Sequence, residues 1–139
     1  MDAEALWALD LVAVGSVALT ERAVSEEGVE LTLAQWRVLV ILGEAEEGAT
    51  VKEIAGRMSS NHSAVSRFVA RMRRRGLVWA NKDDRDARVT RVRLTVEGRG
   101  LRTAVLERRE GYLRDVLDQA GAIDSGTLKR IARSLVSFS

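Results

Sequence analysis

The chain contains no cysteine and no proline, and His62 is its only histidine. Without thiols it forms no disulfide, senses no oxidant through a thiolate and holds no cysteine-ligated zinc or iron–sulfur centre. A lone imidazole is a poor ligand set for a transition metal, so we expect neither a metal nor a cofactor. The absence of proline favours a mainly helical fold with short connections.

The sequence also lacks the patterns that catalysis needs. No glycine-rich phosphate loop follows a strand pattern, and a single histidine leaves no nucleophile–base–acid set. Acidic runs such as Glu26–Glu27 flank probable loops, where solvated charge is the ordinary explanation. We therefore expect no catalytic residues and no enzymatic activity.

An apolar run from Ala3 to Thr20 has the character of a membrane span, but Glu4 and Asp10 interrupt it. A carboxylate in mid-span costs about 2.5–3.5 kcal/mol on insertion scales, and a signal peptide begins with basic residues. We expect no membrane segment and a cytoplasmic protein. With 139 residues, 46% of them hydrophobic, the chain suits a single domain over residues 1–139.

The net charge of +2 conceals a separation of charge along the chain. Residues 1–56 carry 3 basic and 11 acidic side chains, residues 57–102 carry 13 and 4, and residues 103–139 carry 6 and 5. A positive field confined to one segment is the footprint of a surface that binds a polyanion.

Hydrophobic spacing and capping residues predict five or six helices and one β-hairpin. Thr32 with Gln35, and Thr50 with Glu53, form the capping-box pattern that begins the second and third helices. The predicted helices are residues 3–25, 32–43, a short helix after residue 50, residues 61–75, residues 96–121 and a last helix capped by Asp124 or Ser125.

Residues 61–95 combine a basic helix with an arginine-rich hairpin, which is the order that a winged helix uses to bind DNA. The helix is capped by Ser59, Ser60 or Asn61, and it ends at Gly76, which accepts a left-handed backbone. In the hairpin, residues 77–79 open one strand, residues 83–87 form a polar tip and residues 88–94 alternate as a half-buried strand. The residues expected to face inward are Thr90, Val92 and Leu94, and those expected to face outward are Arg91 and Arg93.

The first turns of this basic helix are expected to lie in the major groove, where an α-helix brings side chains to base edges. Arg67 suits a bidentate contact to guanine, Asn61 or Ser66 suits adenine or phosphate, and Arg71 suits the backbone one turn later. The predicted DNA-binding residues of the helix are Asn61, His62, Ser63, Ser66, Arg67 and Arg71.

The hairpin tip predicts a second contact with DNA. Arg85 and Arg88 are candidates for a narrow minor groove, which attracts arginine. Asp86 lies two residues before Arg88, where it either holds that guanidinium in one orientation or serves a plain solvated turn. Arg85, Asp86 and Arg88 are therefore the predicted DNA-binding residues of the wing.

Some of these residues also have a purely structural explanation. The cations at residues 73–75 offset the helix dipole near a helix C-terminus without any nucleic acid. His62 suits a capping turn that makes no base contact. Trp7, Trp36 and Trp79 are more typical of a core or an interface than of ligand stacking.

Both terminal helices are unusually apolar. The last helix places apolar residues 128, 131, 132, 135 and 136 on one face. Such helices either pack on the chain's own core or, as we predict, against a second copy, because DNA-reading proteins are commonly twofold dimers.

Three segments resemble the MarR (multiple antibiotic resistance regulator) family of winged-helix transcription factors. They are LTLAQWRVL at residues 31–39, VSRFVARM followed by RGLV within residues 65–78, and DRDAR leading into VRLTVEG within residues 84–98. The third is the most specific, since it is similar to the family's wing signature Asp-x-Arg followed by Leu-Thr-x-x-Gly. The proline usual near the start of the wing is missing, with Lys82-Asp83-Asp84 in its place.

The resemblance implies a mainly α fold with a small β-hairpin wing: a winged helix-turn-helix lobe over residues 31–98, with dimerisation helices over residues 1–25 and 99–139. It implies a homodimer with interleaved terminal helices, two recognition helices in successive major grooves and wings in the minor grooves. It also implies a repressor that binds a palindromic double-stranded DNA operator, often relieved by a small aromatic or lipophilic effector. The sequence assigns no effector pocket, and Trp36, Arg37 and the helices around Val12 and Val105 are the first places to look.

A second function stays open at this point. The same basic strip suits a helical module that binds an acidic protein or nucleic acid without sequence preference. Sequence preference separates the two functions, because only the regulator should favour one palindrome by about 10³-fold or more.

Overall fold

The computed structural model describes residues 2–138. The described helices and strands, in chain order, are α1 (Ala3–Glu26), α2 (Leu33–Gly43), β1 (Ala49–Thr50), α3 (Val51–Arg57), α4 (His62–Arg74), β2 (Val78–Lys82), β3 (Thr90–Leu94), α5 (Val96–Ala120) and α6 (Ser125–Phe138). The predicted mainly helical fold with a small β wing is confirmed. The two-residue strand β1 was not predicted, and it joins the hairpin in an antiparallel sheet of order β1-β3-β2.

Short-range hydrogen bonds begin the middle helices where the sequence predicts. Thr32 and Gln35 form a complete capping box at α2, and Thr50 and Glu53 form another at α3. Asn61 proves to be the cap of α4, because its side-chain oxygen accepts the Ala64 N–H at 2.8 Å. These bonds satisfy backbone N–H groups that have no partner within a helix.

The core of the winged-helix region comes from α2, α3, α4 and the sheet. Its largest fully buried side chains are Leu39, Leu42, Ile54, Met72, Val38, Val65, Val78 and Val92, with Val105 of α5. Burying one such side chain contributes about 1.5–3 kcal/mol, so this cluster stabilises the packing of α4 against the hairpin.

The inward and outward pattern of β3 is only partly as expected. Val92 and Leu94 are buried, but Thr90 is exposed, because it pairs with Lys82 at the tip end of the hairpin, past the part of the sheet that the core covers. Arg93 is exposed as expected, whereas Arg91 is half-buried. The alternation of β3 therefore predicts burial correctly only for residues next to the core.

The junction between α4, the wing and α5 depends on Thr95. Its hydroxyl donates to the Gly76 carbonyl at 2.6 Å and accepts the Gly98 N–H at 3.0 Å, so it caps α5 and ties that helix to the turn after α4. A Cβ on Gly98 would overlap the Leu77 carbonyl. The Leu-Thr-x-x-Gly pattern thus has a physical reason, since the first turn of α5 lies directly on Leu77, the residue before β2.

The described chain divides into two compact units, one that ends at Arg109 and one that begins at Glu110, so the boundary falls within α5. The second unit consists of the end of α5 and α6. The assignment of residues 31–98 to DNA binding and of residues 1–25 and 99–139 to dimerisation stays a prediction.

Much of the apolar surface of the terminal helices is exposed. On α1 the exposed apolar residues are Leu6, Trp7, Leu11, Val12, Val14 and Val17, and on α6 they are Leu128, Ile131, Leu135 and Val136. Every α6 residue whose burial is described is exposed or half-buried. Among the described helices, α1 is the one long and apolar enough to cross a membrane by length and composition, and 6% of its most apolar window is buried.

The three tryptophans differ in burial. Trp36 is 5% exposed and belongs to the core, as expected. Trp7 and Trp79 are 64% and 61% exposed, so neither belongs to the core of the described chain. Their assignment to an interface stays a prediction.

Candidate nucleic-acid interface

The helix α4 has one apolar face and one polar face. Val65, Val69 and Met72 are buried against the core. Asn61, His62, Ser63, Arg67 and Arg71 are exposed, and Ser66 is half-buried. The six residues predicted to contact DNA therefore lie on one solvent-facing side of a helix that the core holds in place, and their contacts with DNA stay predictions.

The first turn of α4 is organised by its own polar side chains. The carbonyl oxygen of the Asn61 side chain is used as the cap, which leaves its NH₂ group free to donate to a base or a phosphate. His62 Nδ1 lies 3.4 Å from Ser66 Oγ, so these two side chains share a long hydrogen bond one turn apart. Asn61 is thus both a cap and a candidate contact, and the two roles use different atoms.

The arginines of α4 fall into two groups. Within the described residues, no hydrogen bond or ion pair engages the guanidinium of Arg67 or Arg71. Arg75, at the end of the helix, donates to the Glu30 carbonyl in the loop between α1 and α2. Arg67 and Arg71 are therefore available to phosphate or base edges, whereas Arg75 is occupied in a contact between loops.

At the wing tip, the predicted pairing of Asp86 with Arg88 is present. Arg88 Nε lies 3.1 Å from Asp86 Oδ1 and Arg88 Nη2 lies 3.2 Å from Oδ2, and the Arg88 backbone N–H donates to the same carboxylate at 3.0 Å. These bonds lower the pKa of Asp86 below its ordinary value, the side-chain bond from Arg88 being the largest cause. The Arg88 side chain is nevertheless 90% exposed, so the carboxylate orients a guanidinium that still faces solvent.

A second carboxylate at the tip, Asp83, pairs with Arg91 of β3. Arg91 Nε donates to Asp83 Oδ1 at 2.6 Å, and this bond is the main reason why the pKa of Asp83 lies below its ordinary value and that of Arg91 above. Arg93 donates to the Glu47 carbonyl at 3.0 Å. The two outward arginines of β3 thus bind partners within the protein, which the alternation of the strand did not reveal.

A cleft of about 480 Å³ lies between α1, α2 and the first half of α5. Trp36 forms part of its wall, and the guanidinium-bearing residues Arg37, Arg57 and Arg109 line it. Arg109 donates to Thr20 Oγ1 at 2.9 Å and to Ser16 Oγ at 3.0 Å, while Arg57 pairs with Glu44 at 2.6 Å. The cleft contains two of the residues named from the sequence, Trp36 and Arg37, and it combines an apolar wall with positive charge.

Two features of this surface were not found from the sequence. The Asp83–Arg91 pair was detectable in principle, because the register that pairs Asn81 with Arg91 carries Asp83 to the same end of the hairpin. The contact of Arg109 with Ser16 was not, since 93 residues separate the two. Among the described residues, no group of three or more His, Asp or Glu side chains is arranged to hold a metal ion.

Comparison with known proteins finds similarity in the middle of the chain. Residues 29–89 match the model of the MarR family. The HTH-type transcriptional repressor IacR of Pseudomonas putida is 37% identical over 70 residues, which are 50% of this chain and 41% of that protein. The matching segment covers less than half the length of each of the curated relatives.

Solved structures match over nearly the whole chain. CouR from Rhodococcus jostii RHA1, bound to p-coumaroyl-CoA, has a TM-score of 0.80 at 23% identity and covers 98% of this chain and 92% of its own. A single-residue mutant of MepR from S. aureus, bound to an oligodeoxyribonucleotide, has a TM-score of 0.69 at 16% identity and covers 95% of this chain and 93% of its own. At these identities the likeness shows the fold.

Proposed function

We propose that the protein is a dimeric, sequence-specific transcriptional regulator of the MarR family that represses by binding a palindromic operator, and the match of residues 29–89 to the model of that family supports this proposal. The observation that carries this proposal is the polar face of α4, with Arg67 exposed and unpaired among the described residues, on a helix held by a buried core. Such a helix brings its leading side chains to base edges in the major groove.

The wing supports the same function. Arg85 and Arg88 extend from a hairpin tip, and a narrow minor groove attracts arginine because its negative potential is enhanced. A module that bound acidic proteins or nucleic acid without preference would need the charge but not a capped, oriented recognition helix. The regulator is therefore the better explanation, and residues 31–98 form its DNA-binding lobe.

Dimerisation explains the exposed apolar surface of the terminal helices. Monomeric proteins seldom leave large contiguous apolar patches in water, and a twofold axis would cover the same patch on both copies. We assign this role to residues 1–25 and 99–139. Two copies would present two α4 helices to half-sites about one helical turn apart, which is the reason for expecting a palindrome.

The cleft beside Trp36 is the candidate effector site. An aromatic or lipophilic molecule that carries an acidic group would place its apolar part on Trp36 and its charge beside Arg109, which donates to uncharged hydroxyls. Arginine recognises a carboxylate through paired N–H donors. CouR, which shares the fold, was solved with p-coumaroyl-CoA, and the aromatic group of that ligand supports an aromatic effector for this chain.

The protein would act in the cytoplasm without catalysing a reaction or holding a cofactor, as expected of a DNA-binding regulator. The curated relatives are HTH-type transcriptional regulators, among them the repressor IacR. Repression needs only that the bound protein occupy the operator.

The test of the proposed function is a selection of preferred duplexes from a random DNA library, followed by titration of the selected duplex against salt. We expect an enriched palindrome and an affinity that falls linearly with log salt, with a slope near −0.9 for each phosphate neutralised. Arg67→Ala should then cost about 1–3 kcal/mol on the selected duplex and blur the preference at one base position.

Arg73→Ala is the matched control, since it removes the same charge from the same helix near its C-terminus. It should weaken binding to all duplexes by a similar small factor. Salt-sensitive binding without an enriched sequence would instead support the module that binds without preference, and an Arg67→Ala variant with unchanged affinity would remove Arg67 from the base-reading set.

A further inference from the structure

The wing tip contains two carboxylates with different surroundings. Asp86 is 39% exposed, and it holds Arg88. Asp83 is only 12% exposed, and its partner Arg91 is 25% exposed, so this ion pair is largely shielded from solvent. A shielded ion pair keeps more of its attraction than an exposed one, because water and salt screen it less.

Asp83 joins the two ends of the loop that forms the wing tip. Its backbone N–H donates to the Val89 carbonyl at 2.8 Å, which closes the loop, and its carboxylate accepts the Arg91 guanidinium from β3. The Asp83–Arg91 pair joins the first residue after β2 to β3, across the loop that carries Arg85 and Arg88. A single residue, through its backbone N–H and its carboxylate, therefore closes the loop between β2 and β3.

These bonds continue towards the exposed arginines. The Asp86 carboxylate holds both the backbone N–H and the guanidinium of Arg88, and its carbonyl accepts the Val89 N–H at 3.0 Å. The loop has no proline to limit its backbone, since residues 82–84 are Lys, Asp and Asp. Among the described residues, the Asp83–Arg91 and Asp86–Arg88 pairs are the side-chain bonds of this loop.

We propose that the Asp83–Arg91 pair is the brace that positions the wing, and that it sets the orientation of Arg85 and Arg88 towards DNA without touching DNA itself. This inference rests on the proposed DNA-binding function. Arg91 is then a positioning residue, although its charge and its place on an outward strand face would suggest a phosphate contact. The brace reduces the conformational entropy that the tip loses when its arginines enter a groove.

Asp83→Asn and Asp84→Asn provide a matched pair for the test. Each removes one negative charge at the tip, and Asp84 is exposed with no hydrogen bond or ion pair among the described residues. Removing a negative charge beside DNA should by itself leave binding equal or stronger, which is the result expected for Asp84→Asn. Asp83→Asn should weaken binding to the selected operator by about tenfold, since losing the brace misplaces two charged contacts.

Removing the two wing arginines distinguishes a positioning role of Asp83 from its other effects on DNA affinity. In an Arg85→Ala/Arg88→Ala background, Asp83→Asn should change affinity no more than Asp84→Asn does, because there is no longer an arginine to position. A loss that persists in this background, or an Asp83→Asn variant that binds as well as Asp84→Asn, would overturn the inference.

Hydrogen exchange of the free protein provides a readout that does not need DNA. Asp83→Asn should speed exchange at the Val89 amide, which bonds to the Asp86 carbonyl, by about tenfold, while the amide of the buried Val69 keeps its protection, which shows that the fold is intact. Unchanged exchange at the tip would contradict the brace. If the unmodified protein selects no duplex, the proposed function fails, and the exchange experiment still decides whether the brace exists.

Discussion

Arg109 illustrates how the same side chain serves different purposes at different places in this molecule. Its guanidinium binds the hydroxyls of Ser16 and Thr20, which orient the charge without neutralising it. Arg91 and Arg88 instead pair with carboxylates: the bond to Asp83 raises the pKa of Arg91, and the bond from Arg88 lowers the pKa of Asp86. An arginine with neutral partners inside a cleft retains its attraction for an anion, whereas the charge of a paired arginine is already neutralised by its carboxylate.

We expect aromatic carboxylates to release the protein from its operator and the corresponding methyl esters to have little effect, because only the acid offers a charge to Arg109. Arg109→Gln should raise the carboxylate concentration needed for release by about tenfold, which corresponds to one charge-assisted contact. In a variant with Trp7→Phe and Trp79→Phe, fluorescence of the buried Trp36 should report binding directly.

Arg114→Gln is the control for this experiment, since it removes one positive charge from α5 at a residue that pairs with Glu110 outside the cleft. Its response to the carboxylate should match that of the unmodified protein. If Arg109→Gln responds like Arg114→Gln, or if the ester releases DNA as well as the acid does, the cleft does not recognise the carboxylate charge of the ligand.

Contacts at both ends hold α4, the proposed recognition helix, in place. Asn61 fixes its start by a bond within one turn, and the turn at its end is fixed by Thr95, which donates to the Gly76 carbonyl from the junction of β3 and α5. Gly76 has a φ of 73°, which suits glycine, so the chain can reverse there without strain. The reading face of α4 is thereby held at both ends.

The two roles of Asn61 can be separated by two substitutions. Asn61→Ala should lower the free energy of unfolding by about 0.5–2 kcal/mol through loss of the cap. Asn61→Asp keeps an oxygen that accepts the Ala64 N–H, so it should unfold within about 0.5 kcal/mol of the unmodified protein, yet bind DNA more weakly because it loses the NH₂ donors and adds a negative charge. Urea unfolding and operator titration measure the two effects.

Equal destabilisation by both substitutions would show that the oxygen of residue 61 does not cap α4. Operator affinity that survives Asn61→Asp would remove Asn61 from the DNA-binding set and leave it a cap alone.

For the whole molecule, the open question is what covers the terminal helices. Six large apolar residues of α1 and four of α6 are at least 37% exposed. A second copy of the chain and a lipid bilayer would both remove such surface from water. The interruption of α1 by Asp10 favours a protein partner, because a carboxylate is costly within a membrane.

We expect the protein to sediment as a dimer without detergent and Leu135→Glu to shift it towards monomer. Each buried leucine contributes about 1.5–3 kcal/mol, and a twofold interface buries it on both copies, so the dissociation constant should rise at least 100-fold. Ser134→Glu adds the same charge on the polar side of α6 and should leave the dimer intact. A monomeric unmodified protein, or transfer of the protein to lipid vesicles, would contradict the proposed dimer.

Features that depend on a few neighbouring residues could be predicted from the sequence. The capping boxes at Thr32 and Thr50, the end of α4 near Gly76 and the Asp86–Arg88 pair all join residues at most three positions apart, so residue type and spacing suffice. The choice of Asn61 over Ser59 and Ser60 could not be made, because all three side chains can cap. Ser59 adopts a φ of 50° in the turn before α4, a backbone conformation that its residue type does not predict.

Hydrophobic periodicity reveals which residues are apolar, but not how far a core extends or what covers a face. Thr90 has the right alternation and is exposed because the core ends before it, and Trp7 is as apolar as Trp36 yet only Trp36 is buried. The arginines of β3 read alike in the sequence, although Arg91 binds Asp83 and Arg93 binds a backbone carbonyl. The sequence by itself therefore determines the local hydrogen bonds and the order of charges along the chain. The cleft around Arg109 and the brace at Asp83 form only when folding brings separate segments together.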